Sequence, residues 1–294
     1  MKNPLYIFLA CSLVLMGCAD DVSNEGDDLF VKKVDKEFAG APKGTLFAIG
    51  GGKRPADLIK ALVESAGDQS GYIMVFSQSS MEPDSSFHYI AKDFAPHPHM
   101  TLVHVKGEGL RTSLIDSVRK APIIFITGGD QNRFLETVHA AVRKAIKEAY
   151  YAGSTIGGTS AGAALMSAIM LTGDQRDWPN YESTYSQLNH NNAIYSQGLG
   201  LLDSTIIDQH FVTRSRYNRL ISALADTGFP SAVGVDEATA LVYTAKYCTV
   251  VGDNQVVLMK RPKSWRMLNG KIGLGGMEMD IYLKGDTFQL NHEL

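Results

Sequence analysis

Gly157-Gly158-Thr159-Ser160-Ala161-Gly162-Ala163 sets a single serine between glycines, where an apolar segment, Tyr150 to Ile156, gives way to a helical one, Ala163 to Met170. The Gly-x-Ser-x-Gly spacing therefore falls on a strand, a sharp turn and a helix, the local architecture that lifts a nucleophile off the rim of a sheet. Glycines relieve crowding in such a turn, and the N-terminus of the following helix favours negative charge developing near Ser160. That combination suits acyl transfer. A plain strand-to-helix turn with an exposed hydroxyl shares the same five-residue pattern, so the decision passes to the surrounding chain.

Outward from the elbow, short apolar runs alternate with helical periods. Before it, strands are predicted at Thr45–Ile49, Tyr72–Phe76, Met100–Val105 and Pro122–Ile126, with helices at Pro55–Ala66, Phe87–Asp93, Arg111–Arg119 and Gln131–Ala149. After it come a polar loop from Gly173 to Gln197, a strand at Ser204–Asp208 closed by Gln209-His210, and a helix at Arg214–Ala225. The tail reads as strands Ala232–Val235, Ala240–Tyr243, Tyr247–Val251 and Gln255–Met259, then a hairpin over Ile281–Leu290 turning at Lys284-Gly285-Asp286. Continuous apolar strands joined through helices predict an α/β fold: a mostly parallel sheet flanked by helices, with antiparallel C-terminal strands at one edge. Ligands in such sheets bind at the carboxyl ends of strands, where Gly50, Gly128 and Ser160 all fall. No internal repeat or interior linker divides the chain, so residues 43–294 read as one domain.

The N-terminus reads as export machinery. Lys2 is followed by an apolar run from Leu5 to Met16, too short to span a bilayer, and Leu15-Met16-Gly17-Cys18 resembles a bacterial lipobox. Residues 1–17 are thus expected to be a lipoprotein signal peptide and Cys18 to be diacylated; an ordinary secretory leader cut further on is the alternative. Residues 18–42 carry an acidic run, Asp20 to Asp28, without a basic residue, and read as a solvated tether. The expected location is lipid-anchored on a bacterial membrane, on the periplasmic or the cell-surface face. Of the three cysteines, Cys11 goes with the leader and Cys18 takes lipid, which leaves Cys248 unpaired and the domain dependent on an apolar core. A net charge of −3 and the lack of any Lys/Arg-rich tract argue against nucleic acid as a partner.

A serine nucleophile needs a base within hydrogen-bond reach and an acid that fixes the base's tautomer. Eight histidines compete for the first role. His88, His97, His99 and His104 precede the elbow, His139 falls in a predicted helix, His190 in the polar loop and His292 near the C-terminus. His210 is best placed, because it closes an apolar strand and opens onto the same rim as Ser160; a purely structural strand-end histidine is the alternative. His97-Pro98-His99 has no carboxylate or cysteine at ligand spacing, so no metal is expected, and nothing asks for an organic cofactor.

Four blocks in order, Ile49-Gly50-Gly51, Phe125-Ile126-Thr127-Gly128-Gly129-Asp130-Gln131, Gly157 to Ala163, and Asp208-Gln209-His210-Phe211 with Arg214, Arg216, Arg219 and Leu220, resemble cyanophycinases and their relative peptidase E. Gly234-Val235-Asp236-Glu237-Ala238-Thr239-Ala240 adds a fifth, and the likeness covers Thr45 to Val242. It implies a flavodoxin-like sheet similar to that of class I glutamine amidotransferases, with Ser160 as nucleophile and His210 as base. It places the triad acid in the polar loop, where Glu182 is the nearest match; Glu237 is the reserve candidate, and Asp174 and Asp177 are further ones. Backbone N–H groups of Ala161 and of Gly128 or Gly129 would form the oxyanion hole. Gln131 resembles a substrate-contacting glutamine. Asp208, Gln209, Arg214, Arg216 and Arg219 are expected to meet charged substrate groups, with Arg216 and Arg219 on one helical face and Arg214 diverging.

The resemblance thus implies a serine peptidase that hydrolyses cyanophycin, or a related aspartyl-arginine polymer, to β-Asp-Arg dipeptides through an acyl-enzyme, and the N-terminal leader makes it an exported one. An aspartyl dipeptidase of the peptidase E type is the enzymatic alternative, and an inert peptide-binding surface lipoprotein is another. In a generic esterase, His292 would be the base. The sequence leaves the oligomeric state open, a homodimer included.

Overall fold

The computed structural model of the protein describes residues 38, 40–67, 71–106, 111–180, 184–245 and 247–290. The leader, Cys18, most of the acidic tether, Glu182 and His292 lie outside them. In its first half, β1 (Thr45–Ile49), β2 (Gly71–Phe76), β3 (Met100–Val105), β4 (Ile123–Ile126) and β5 (Thr155–Thr159) alternate with α1 (Ala56–Glu64), α2 (Pro83–Phe94), α3 (Thr112–Lys120) and the pair α4 (Gln131–Thr137) and α5 (Ala140–Ala152). The short α6 (Ala161–Ala164) follows the elbow. The second half runs β6 (Ile169–Gln175), β7 (Ala193–Gln197), β8 (Thr205–Gln209), α7 (Tyr217–Thr227), β9 (Ser231–Val235), β10 (Thr239–Tyr243), β11 (Cys248–Gly252) and β12 (Val256–Lys260). It ends with β13 (Ser264–Leu268), β14 (Lys271–Gly275), β15 (Met279–Tyr282) and β16 (Thr287–Phe288).

An eight-stranded sheet in the order β16-β11-β10-β1-β5-β4-β2-β3 forms the frame. Its β1, β5, β4, β2 and β3 run parallel, and β10, β11 and β16 add antiparallel pairs. The interior strands β1, β2 and β4 are almost wholly apolar because both their faces are covered, whereas the edge strand β3 keeps Thr101 and Val103 exposed. Leu46, Ala48, Met74, Phe76, Ile124 and Ile126 point into the core beneath α3, α4 and α5, while Phe47, Ile49, Ile73, Val75, Ile123 and Phe125 point into the one beneath α1 and α2. In α1, Leu58, Ile59, Leu62 and Val63 form the buried stripe that docks it.

The tail differs from the appended edge read from sequence. β8, β9, β12 and β15 make a second sheet, in the order β15-β12-β9-β8, whose Ile207, Val233 and Val235 share the first core while Ile206, Ala232 and Val257 pack with α7 in a third. The predicted hairpin over Ile281–Leu290 does not form, because β15 pairs with β12 and β16 with β11. A hairpin that was not predicted, β13 with β14, turns at Asn269-Gly270, both with positive φ. The polar loop holds another, β6 with β7.

Three helix readings also change. The predicted helix Gln131–Ala149 is broken, because Val138 and His139 are extended and His139 Nδ1 accepts the N–H of Ala141, capping α5 afresh. The helix after Ser160 stops at Ala164 because the carbonyls of Leu165 and Met166 accept N–H groups of Leu199, Leu201 and Leu202 instead of continuing a helical ladder. The helix expected from Arg214 begins at Tyr217.

Candidate active site

The exit of β1 laces the site together. Ile49 O accepts from the N–H of Ser160 at 2.9 Å, Gly50 O from that of His210 at 2.7 Å, and Gly51 O from that of Ala238 at 2.9 Å. Side chains would break this arrangement: a Cβ on Gly51 would lie 2.3 Å from His210 Cε1, and one on Gly52 2.7 Å from Glu237 Oε2. Gly51 also has a φ of +110°, so a glycine is required there on two counts.

Ser160 itself has φ 53° and ψ −113°, His210 has φ 49° and Ala238 has φ 52°. Backbone of this kind costs roughly 1–3 kcal/mol per residue outside glycine and persists only where surroundings over-determine it. The three bonds to the β1 exit supply that constraint. Ser160 Oγ lies 2.9 Å from His210 Nε2, and His210 Nδ1 lies 2.5 Å from Glu237 Oε1. A carboxylate only accepts, so the ring proton sits on Nδ1, and Nε2 is left to accept from the Ser160 hydroxyl. Serine, imidazole and carboxylate are thus joined in the order that nucleophilic catalysis uses.

Glu237 reaches His210 because β9 lies beside β8 in parallel register, Val235 opposite Gln209. The acid two residues past the end of β9 therefore meets the histidine one residue past the end of β8. The sequence reading placed Glu182 first and Glu237 second; His210 Nδ1 is occupied by Glu237, and Glu182 lies outside the described residues. A carboxylate just beyond an apolar strand was the available signal. Its neighbour Asp236 is used otherwise, accepting the N–H of Thr213 at 2.9 Å. Other histidines find structural partners: His104 Nε2 is 2.6 Å from the fully buried Ser77 Oγ, and His190 Nδ1 is 2.7 Å from the buried Asp226 carboxylate.

Burial holds the His210 imidazole below its ordinary pKa of 6.5; the Glu237 bond opposes this, and Arg214 and Arg216 add to the lowering. A base must be neutral to take the serine proton, so a lowered pKa keeps it competent to lower pH. The acidic limb of kcat/KM is accordingly expected below pH 6.5. Arg214→Gln removes one of the lowering charges and should move that limb to higher pH, read from pH profiles of the two proteins. An unmoved limb would contradict this electrostatic account.

Ala161 opens α6, and Gly128 sits against Ser160, where a Cβ on it would be 3.3 Å from Ser160 Cβ. Gly129, at φ +138°, presses on the Ser79 carbonyl, which also accepts the N–H of Asp130 at 2.8 Å. Among the described residues, the N–H groups of Ala161, Gly128 and Gly129 have no acceptor, as donors reserved for an oxyanion require. A four-residue helix adds little dipole, so an oxyanion at this point would rest on these N–H groups rather than on a helix terminus.

Ser160 opens onto a cleft of about 240 Å³. Gln131 lines it, but its amide nitrogen donates to the carbonyls of Leu171 and Thr172 at 2.7 and 2.8 Å, which fastens β6 and leaves only Oε1 for a ligand. Asp208 was read as a substrate contact; the structure makes it scaffold. It is 1% exposed, bonded twice to Arg219, with Nε to Oδ2 at 2.7 Å, and it accepts the N–H of Gln209 at 2.7 Å. Gln209 lines the cleft and accepts from Arg216 Nη1 through both O and Oε1, each at 2.6 Å. Arg216 and Arg219 touch the cleft wall at only 2% exposure, so they make its floor positive while bonded to the protein. Arg214 is half-buried, lines the cleft, and has no side-chain partner among the described residues. No group of three or more His, Cys, Asp or Glu among those residues is arranged to hold a metal.

The sequence profile of Peptidase family S51 matches residues 46–251. Curated relatives include a cyanophycinase of Geminocystis herdmanii (strain PCC 6308), 28% identical over 262 residues and covering 84% of this chain and 93% of that protein. A cyanophycinase of Nostoc sp. (strain PCC 7120 / SAG 25.82 / UTEX 2576) is 27% identical over 286 residues, covering 92% of this chain and 93% of that one. Among solved structures, a peptidase from an acI-B1 actinobacterium superposes with a TM-score of 0.61 at 18% identity, over 85% of this chain and 98% of that one, a likeness of fold.

Proposed function

The chain belongs to Peptidase family S51 and is a serine-type peptidase; from that premise we propose that it hydrolyses cyanophycin to β-Asp-Arg dipeptides through an acyl-enzyme on Ser160. The observation that carries the proposal is the line Ser160 Oγ, His210, Glu237 opening onto a cleft walled by charges of both signs. In this reading Ser160 Oγ attacks the scissile carbonyl as His210 Nε2 takes its proton, and the oxyanion is held by the free N–H groups of Ala161, Gly128 and Gly129. His210 then passes the proton to the leaving amine. Water, deprotonated by the same nitrogen, attacks the ester and releases the acid product, and the proton returns to Ser160. Glu237 stays ionised throughout and stabilises the imidazolium.

Export by a leader over residues 1–17 and anchoring through lipid on Cys18 are part of the proposal. They suit an enzyme that acts on polymer met outside the cell. Incubating the purified protein with insoluble cyanophycin should release soluble β-Asp-Arg, identified by mass spectrometry, and cell fractionation should find the full chain with membranes and Cys18→Ser released from them. An intact polymer beside cleaved short aspartyl peptides would replace the polymer reading with a dipeptidase. A soluble wild-type chain would remove the anchor.

A further inference from the structure

Asp174 is the penultimate residue of β6 and lines the same cleft as Ser160 and Arg214. Its backbone is pinned on both sides, the N–H donating to Thr172 Oγ1 at 3.2 Å and the carbonyl accepting from the Tyr185 hydroxyl at 2.8 Å. Its side chain is exposed, and the carboxylate has no partner among the described residues. A second acid among the described residues lining the cleft, Asp130, spends its Oδ1 on capping α4, where it accepts the N–H groups of Asn132 at 2.8 Å and Arg133 at 3.4 Å. With Arg216 and Arg219 bonded to Gln209 and Asp208, Asp174 and Arg214 are, among the described residues that line the cleft, the charged side chains without a hydrogen-bond partner. They do not pair with each other.

A ligand that satisfies both must carry a cation and a carboxylate of its own. The arginyl branch of an aspartyl-arginine polymer does, with a guanidinium at one end and a free carboxylate at the other. Resting on the cyanophycin reading, we propose that Asp174 is the acceptor for the arginyl guanidinium of the unit bound beside Ser160, and so sets the preference for arginine, while Arg214 takes the arginyl carboxylate. A carboxylate on a pinned backbone matches the planar fork of a guanidinium with two parallel bonds and little ordering cost on binding.

Citrulline keeps the shape of arginine and loses its charge, so a pair of β-aspartyl oligomers bearing arginine or citrulline isolates this contact. The wild-type protein should favour the arginyl oligomer by about 30-fold in kcat/KM, the scale of one charge-assisted hydrogen-bonding contact. Asp174→Asn should lower kcat/KM on the arginyl oligomer by about as much and leave the citrullinyl one within about threefold. Asp130→Asn should keep the preference, since asparagine also caps helices. An equal loss on both oligomers would make Asp174 a scaffold residue, and an unchanged preference would exclude it from recognition; either overturns the assignment while the cyanophycin reading stands. If the wild-type protein cleaves neither oligomer nor the polymer, that reading falls and takes the assignment with it.

Discussion

Replacing Ser160 or His210 with alanine is expected to lower kcat by roughly three orders of magnitude or more while leaving the fold intact. Neither change touches the frame that holds the site. The bonds from the Ser160 and His210 N–H groups to Ile49 O and Gly50 O are main-chain bonds and survive both substitutions. The side-chain loss is confined to the Ser160–His210–Glu237 line, whose members act as a unit, so the double variant should be no worse than the more damaged single one. Steady-state kinetics beside a thermal melt of each variant measures this. Near-wild-type turnover in either single variant would remove that residue from the chemistry. His292→Ala should be silent; a crippled His292→Ala would restore the esterase alternative.

Glu237→Gln should lower kcat by about three to four orders of magnitude, the scale of a misplaced tautomer, with KM little changed. A glutamine can turn its amide N–H toward His210 Nδ1, which then accepts, and the ring proton moves to Nε2. Nε2 can no longer take the Ser160 proton. The main chain at this position is independently tied, because Glu237 O accepts from Asn254 Nδ2 at 2.8 Å and from Thr239 Oγ1 at 3.1 Å, so the loss should come without local unfolding. Glu182→Gln should leave the rate near wild type. A crippled Glu182→Gln beside an active Glu237→Gln would reverse the assignment of the acid.

The parallel half of the fold is legible because its interior strands β1, β2 and β4 are buried on both faces and so read as apolar runs. β1 and β3 fall where the sequence places them, Thr45–Ile49 and Met100–Val105. Ser160 was legible for a local reason, a serine whose own turn needs glycine on both sides. The tail was not, because whether β15 pairs with β12 or with β16 depends on contacts between segments far apart in the chain. The Asn269-Gly270 turn of β13 and β14 is a hairpin signal in the sequence, but the strands that it joins are largely exposed and do not stand out as apolar runs. The acid was the hardest of the site residues to choose, since Glu237 becomes a partner of His210 only through the parallel register of β8 and β9. Asp208 and Arg219 illustrate the converse case: charged residues near a nucleophile looked like substrate contacts, and their burial against one another makes them the floor on which the contacts stand.

The central claim is that Ser160 carries the acyl group, and its most direct measurement is the partitioning of that group between water and added hydroxylamine during turnover of an aspartyl-arginine oligomer. An acyl-enzyme on Ser160 predicts an aspartyl hydroxamate that grows with hydroxylamine concentration, in a ratio to the hydrolysis product that does not depend on the leaving amine, and that vanishes in Ser160→Ala. Hydrolysis proceeding at full rate with no hydroxamate at saturating hydroxylamine, or hydroxamate formed equally well by Ser160→Ala, would contradict it.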